Sequence, residues 1–229
     1  MLEVKSVSMA TLLTPPRELP VVAGHLALDF VNTVDDPEGP GRFDHLHDVE
    51  GLVHWASRLG LLDRTEAARL RARADAQPRA AMSSLRSAHA LRDVLDQIFR
   101  AVASASDIPD NAWHTLRRAD AAAMRTAQLT RDGDAFRLAW PVGGLKDVLH
   151  PVAHHAVDLL GSPELVRIKT CAGCPWLYLD RSRNGSRRWC SMDDCGRHEK
   201  IRLYVARRAQ RRRVWRTHGP YASCRCCDS

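Results

Sequence analysis

The first 170 residues of this 229-residue chain contain no cysteine, and no run of eighteen or more apolar residues occurs anywhere in it. The first absence excludes a disulfide framework for most of the chain, and the second excludes a membrane-spanning helix. The stretch Met1 to Gly24 lacks the basic-then-apolar order of an export signal, while Pro15, Pro16 and Pro20 break any regular element, so residues 1–20 are expected to be a flexible tail. There is no G-x-S-x-G, no Walker loop and no G-x-G-x-x-G, and the carboxylates do not cluster as an acid/base pair. An enzyme is therefore not expected. Internal repeats are missing too, and the one biased segment is an arginine-rich stretch near the end.

All seven cysteines fall at or after Cys171. Without an export signal they point to a reducing compartment, the cytoplasm, and to metal ligation in preference to disulfides. Cys171 and Cys174, then Cys190 and Cys195, form C-x2-C and C-x4-C pairs separated by fifteen residues. Each pair aims two thiolates at one point, and the spacer is long enough for the chain to turn back, so the expectation is one closed four-thiolate zinc site. A closed site leaves no position for a substrate, which makes the metal structural. His198, three residues beyond Cys195, is set aside because four thiolates already complete a tetrahedron. Cys224, Cys226 and Cys227 read as thiols of a terminal tail, residues 217–229.

Around this site the charge is lopsided. From Arg181 to Arg216 there are thirteen Lys/Arg against three acids, a net +10 in a chain whose total is +7, so the remainder sums to −3. The cations are mostly Arg, whose planar fork suits phosphate, and the candidate nucleic-acid contacts are Arg181, Arg183, Arg187, Arg188, Arg197, Lys200, Arg207, Arg208, Arg211 and Arg212.

Periodicity upstream is mainly helical. Asp48 is placed to cap a helix with Leu52, Trp55, Ala56 and Leu59 on one face and Gly60 at its stop, and a short helix follows Thr65. Met82, Leu85, Ala88, Leu91, Leu95, Ile98, Phe99 and Val102 trace one side of a long helix running to about Ser104, and Asp110 caps another through about Arg125. Leu129 to Trp140 predicts a hairpin about Asp132-Gly133, with Phe136, Leu138 and Trp140 on a shared face; helical spacing returns from Leu145 to Leu160, and a strand over 165–170 feeds the first cysteine pair. Between the pairs, Tyr178–Asp180 and Arg187–Trp189 are expected to flank a turn at Asn184-Gly185. Ser191 and Asp194 form a capping pair for a helix carrying Cys195, whose Ile201, Tyr204, Val205 and Ala209 should pack on the finger for about two turns.

Gly24 to Thr33 is too apolar for a loop and too short to classify by period. Asp29 and Asn32, one helical turn apart, either line an effector pocket walled by Trp55 or Trp140, or satisfy local backbone groups. His150 and His154 have metal-gripping i, i+4 spacing but lack the H-E-x-x-H glutamate, and His45 and His47 are weaker candidates still.

The run Arg167-Ile168-Lys169-x-Cys171-x2-Cys174-x-Trp176-Leu177-Tyr178-Leu179-Asp180-x-Ser182-x-Asn184-Gly185-x-Arg187-Arg188-Trp189-Cys190-Ser191-Met192-x2-Cys195-Gly196 resembles the CGNR zinc-finger family. Leu28-Asp29-Phe30-Val31-Asn32-Thr33 resembles the start of the ABATE domain that precedes this finger in stress-induced transcription regulators. The family's Cys-Gly-Asn-Arg stands here as Cys195-Gly196-Arg197-His198, so no contact of that Asn carries over. The resemblance implies an α+β chain: a mainly helical ABATE-like domain over 21–164, then a treble-clef-like finger over 165–216 that binds DNA. Zinc is the implied cofactor, a small-molecule effector a further partner, and no membrane is involved. RNA is the alternative partner for the same basic finger, and an enzymatic N-terminal domain anchored by the finger is the third reading. A homodimer is expected because a single finger buries little surface on nucleic acid.

Overall fold

The computed structural model describes residues 19–35 and 42–218, with side chains through Gln210. The expected terminal tails, the Pro/Gly-rich loop at Pro37 to Gly41 and Cys224, Cys226 and Cys227 lie outside the described residues. The architecture is α+β. A short helix α1 (Leu26–Val31) leads to a minimal antiparallel ladder, β1 (Val34–Asp35) with β2 (Phe43–Asp44). Then come α2 (Val49–Arg58), α3 (Arg64–Ala76), α4 (Pro78–Ala103) and α5 (Asp110–Thr126), followed by the hairpin β3 (Gln128–Asp132) and β4 (Ala135–Ala139). A 3-10 turn opens α6 (Leu149–Leu160), β5 (Ile168–Thr170) pairs with β6 (Leu177–Leu179), and α7 (Arg197–His218) closes the described chain.

Capping chemistry sets the starts of α2 and α3. Asp48 accepts from the Gly51 N–H at the start of α2, and Gly60 beyond its end adopts φ +72°, a conformation only glycine takes at little cost. Asp63 and Glu66 form a reciprocal capping box on α3. The 26-residue α4 is the central element; Leu85, Ala88, Leu91, Leu95, Ile98 and Phe99 are buried along it, whereas Met82, expected on that face, is exposed in the first turns. Arg92 is buried on the same helix, its guanidinium held by both Asp44 oxygens at 2.7 and 2.6 Å and by Thr33 Oγ1 at 3.0 Å. This pair fastens β2 to α4, and a buried pair so bound is costly to break from one side. Asp110 does not cap α5: the N-cap is Pro109, with no side-chain hydrogen bond.

The β3–β4 hairpin forms where expected, turning at Gly133 with φ +60°. Its apolar face is only partly covered: Trp140 Nε1 donates to the Ala123 carbonyl at 3.1 Å and Leu138 is half-buried, but Phe136, near the turn, is 64% exposed.

The finger is continuous with the helical body. One hydrophobic core contains Leu28 and Phe30 of α1, Leu95 and Ile98 of α4, Val152 and Leu159 of α6, and also Ile168, Leu177 and Leu179 of the β5–β6 hairpin. One edge of β6 pairs with β5; the other meets the N-terminal segment. Leu179 N–H donates to the Ala23 carbonyl at 2.8 Å, while Asn32 Nδ2 donates to the Leu177 carbonyl at 2.8 Å and Asn32 Oδ1 accepts from Leu177 N–H at 3.0 Å. Asn32 thus substitutes a side-chain amide for a missing strand.

Replacing Asn32 with Ala would leave a buried N–H and a buried carbonyl without partners, each worth about 1–3 kcal/mol. We expect Asn32→Ala to lose about 2–4 kcal/mol in urea unfolding. A loss below ~1 kcal/mol would mean that the clamp is dispensable.

Candidate metal centre and cationic helix

Thr170 leaves β5 directly into Cys171, whose N–H donates to the Trp176 carbonyl at 2.8 Å and so closes the first knuckle. Gly173 belongs there for space: a Cβ on it would sit 3.2 Å from Cys195 Cβ. Cys190 arrives from the opposite side, its N–H donating to Cys171 Sγ at 3.2 Å, and Gly173 N–H donates to the same sulfur at 3.4 Å. Cys195 lies in the π-type turn Met192–Gly196 that precedes α7; Ser191 caps this turn by accepting from Asp194 N–H at 3.2 Å.

The four sulfurs lie within 4.8 Å of one another, with Cys174 to Cys190 at 3.5 Å and Cys190 to Cys195 at 3.7 Å. These separations are far beyond a disulfide bond of about 2.05 Å. They match the edge of a sulfur tetrahedron, about 3.8 Å for metal–sulfur bonds of about 2.3 Å. So crowded, the thiols do not ionise together unaided. Hydrogen bonds from Cys174 and Cys190 draw Cys171 below the ordinary thiol range, and the hydrogen bond with Cys171 pushes Cys174 up to about 12. A divalent cation removes that conflict by favouring every thiolate, and the donor set, all sulfur with backbone N–H groups turned toward it, suits zinc.

Between the cysteine pairs the chain is organised by Asp180 in place of a strand ladder. Its buried carboxylate accepts from Lys169 Nζ at 2.7 Å, Ser182 Oγ at 2.6 Å, Ser182 N–H at 3.0 Å and Arg187 N–H at 3.1 Å. Burial alone would raise this carboxyl, but the hydrogen bonds from Lys169 and Ser182 prevail and hold it well below the usual carboxylate range. Because these bonds take up the backbone, Arg187–Trp189 forms no strand, contrary to expectation, and the turn at Gly185 closes a loop rather than a hairpin. The Asp-x-Ser spacing is a side-chain turn signal that would have found this hub.

The cations divide into two groups. Arg187 leaves the expected nucleic-acid set: its guanidinium stacks on Tyr178 at 4.6 Å and donates to the carbonyls of Trp189 at 2.8 Å, Val22 at 3.0 Å and Cys190. It is a staple of the finger. Arg181 faces Glu164 at 3.4 Å, and Arg188 lies over the Trp189 ring. Arg183, Arg197, Lys200, Arg207 and Arg208 are exposed and have no ion pair among the described residues. Arg211 and Arg212 continue α7 beyond the described side chains. The expected packing of α7 on the finger does not occur: Ile201, Tyr204 and Val205 are 53%, 63% and 58% exposed, and every residue from 201 to 210 faces solvent. With a charged residue in nearly every turn, the helix has no apolar face wide enough to bury. It projects from its first turn.

Asp29 and Asn32 both bond to backbone groups. Asn32 is spent on Leu177, and Asp29 Oδ1 accepts from Ala23 N–H at 3.0 Å. His198 faces Asp194 at 3.6 Å and is not among the four clustered ligands. His154 Nδ1 meets Asp120 at 3.0 Å and His150 Nδ1 meets Thr126 Oγ1 at 3.1 Å, so this pair serves helix packing; His45 pairs with Asp35 at 3.0 Å, and His47 with Asp48 at 3.3 Å.

A helical α+β body carrying a four-cysteine zinc finger is the class that fold and site define. Residues 24–163 match the ABATE family model, described as "Putative stress-induced transcription regulator", and residues 167–208 match the CGNR zinc finger model. The first match spans more than half of the chain, which therefore belongs to the ABATE family; its finger and sulfur cluster make zinc the cofactor. None of the curated proteins matches the chain.

Because the β5–β6 hairpin lies in the common core, metal loss should be felt beyond the finger. Cys190→Ser is expected to lower zinc content sharply, read by elemental analysis, and to lower the calorimetric midpoint of the whole chain in one transition. An unshifted main transition beside a separate finger transition would show that the two parts fold independently.

Burial pushes the Asp29 carboxyl up to about 6 and the His25 imidazole down to about 4. For Asp29 the folded state holds the proton more tightly, so its contribution is intact below the ordinary value of 3.8 and is lost as pH rises through about 6. His25 acts oppositely, losing stability as pH falls from 6.5 toward about 4. Asp29→Asn should therefore gain about 2 kcal/mol relative to wild type between pH 4 and 7, measured by paired urea titrations so that thiolate protonation cancels. A pH-independent difference would contradict the assignment.

Proposed function

We propose that this protein is a DNA-binding regulator acting in the cytoplasm, with no catalytic role. Zinc held by Cys171, Cys174, Cys190 and Cys195 fixes the knuckle and the root of α7. The observation that carries the reading is the exposed first half of α7, on which Arg197, Lys200, Arg207 and Arg208 have no ion pair among the described residues. By the 3.6-residue period, positions 197, 200, 207, 208 and 211 fall on one side of α7, spanning ~21 Å of axis, a length suited to following a phosphate backbone. Arg183, Arg188 and Arg181 extend the cationic surface onto the finger. Phosphate contacts and counterion release provide affinity, and two copies per site supply what one finger lacks. The helical body is the sensing and dimerising part.

Neutralising Arg207 and Arg208 together to Gln should weaken duplex binding and flatten the log–log salt dependence by about two units, roughly 0.9 per phosphate contact. Fluorescence anisotropy between about 50 and 200 mM salt measures it. An unchanged slope removes α7 from the interface, and preferential displacement by structured RNA transfers the reading to RNA.

A further inference from the structure

Three of the cavities at the surface of the described residues are roomy enough to hold a small molecule. One of about 290 Å³ beside α2 mixes Asp48 and Glu50 with three histidines, and one of about 400 Å³ adjoins the cysteine cluster. The largest of these, about 600 Å³, opens between α4, α5 and the start of α6 and shares no lining residue with the other two. It falls within the size range of small-molecule sites, roughly 300–1,000 Å³.

Its lining is chemically one-sided. The floor is apolar: Leu91 of α4 and Leu149 of α6 are buried, with alanines from all three helices leaving the space open. The rim carries Arg118 and Arg125 from α5 and Lys146 from the turn before α6, and no Asp or Glu lines the cavity. None of the three cations is hydrogen-bonded or ion-paired among the described residues. The neighbouring acids are already engaged: Asp147 accepts from the Gly143 and Gly144 N–H groups at 2.9 and 2.8 Å, and Asp120 pairs with His154. Burial keeps the lining His150 imidazole below its ordinary value, opposed by Asp147 and aided by Lys146 and Arg125, so the ring adds an apolar wall more than a charge. The three cations lie within a part of the chain whose net charge is negative, which makes the cluster a local feature and no consequence of composition.

We propose that this cavity binds a small amphiphilic anion, a carboxylate or comparable acid with an apolar tail, whose headgroup lies among Arg118, Arg125 and Lys146 while the tail rests on Leu91 and Leu149. An apolar floor alone would accept any oily molecule, and three cations alone would accept any anion. Together they select for molecules having both properties. Binding itself is independent of the DNA reading; its regulatory meaning rests on that reading, since it makes this molecule the effector of the helical body.

The test is calorimetric titration of the zinc-loaded full chain with octanoate, with 1-octanol as the neutral counterpart and inorganic phosphate as the bare anion. One octanoate should bind per chain, at least ten-fold more tightly than either control. The Arg118→Gln/Arg125→Gln double variant should weaken octanoate at least ten-fold without changing octanol, and Ala119→Phe, which fills the cavity, should abolish binding. Arg207→Gln/Arg208→Gln should leave octanoate affinity unchanged. The proposal falls if octanol binds as well as octanoate, if phosphate alone matches it, or if the α7 variant and not the cavity variant loses binding. Octanoate bound as described, with duplex affinity unaltered by it, supports the cavity and overturns only the sensing role.

Discussion

A three-residue strand cannot stand alone in water, and β6 exists because both of its edges are occupied. One edge is β5; the other is the backbone and side chains of Ala23 to Asn32, a segment some 145 residues distant in sequence. The Asn32 amide satisfies both polar groups of Leu177 in a setting where an unmet group would be expensive. Much else depends on this clamp. Zinc and the clamp act side by side on one hairpin: the cysteines fix its turn, Asn32 grips Leu177 next to that turn, and Leu177 and Leu179 anchor the strand in the core. Each restraint reduces the conformational freedom that the other must overcome, so metal and core reinforce one another.

The same docking explains why arginine plays two roles within a short stretch. Arg167 donates to the carbonyls of Asp180 and Ser182, and Arg187 to three carbonyls around the finger, because the loop between the cysteine pairs is too short and irregular to pair its own backbone. Those guanidiniums replace secondary structure. Beyond Cys195 the helix satisfies its backbone internally, and its cations are left to face outward. A count of charge sees one run of thirteen; backbone hydrogen-bond demand separates the internal donors from the external ones.

This distinction also marks what was legible before the fold was known. The 3.6-residue period located α2, α4 and α6, and paired-cysteine spacing located the metal cluster, because both signals are local and geometric. Segment α1 resisted classification since Ala27, Leu28, Phe30 and Val31 are all buried, leaving no polar face to set a period. Asn32 read as either pocket lining or a local cap because its partner lies across the chain, and nothing nearby announces Leu177. Residues 187–189 follow the Asn184-Gly185 turn signal and so are expected to complete a hairpin, but Asp180 captures the Arg187 backbone instead. On α7 the apolar spacing was genuine, yet no surface was placed opposite it. The cavity between α4, α5 and α6 arises from alanines on three helices, each unremarkable in its own turn; only their convergence makes space.

A ligand in that cavity influences a distant helix only if its affinity differs between two arrangements of the protein, and the influence is then reciprocal. The relevant arrangement is the setting of α4 against the knuckle. Leu91 lines the cavity, and Arg100, nine residues farther along α4 and so ~14 Å away along its axis, donates to the Pro175 carbonyl at 2.8 Å, inside the zinc loop. Asp96 holds the Arg100 guanidinium in place at 2.9 Å. On the proposed sensing role, a tail that spread α4 from α6 would carry the Arg100 contact with it, because a packed helix transmits displacement without much compression. Because α7 follows Cys195 of the same metal cluster and its side chains over 201–210 face solvent, a small rotation of the knuckle would be magnified along the helix. The absence of packing on α7 therefore leaves its direction to be set by the knuckle that α4 supports.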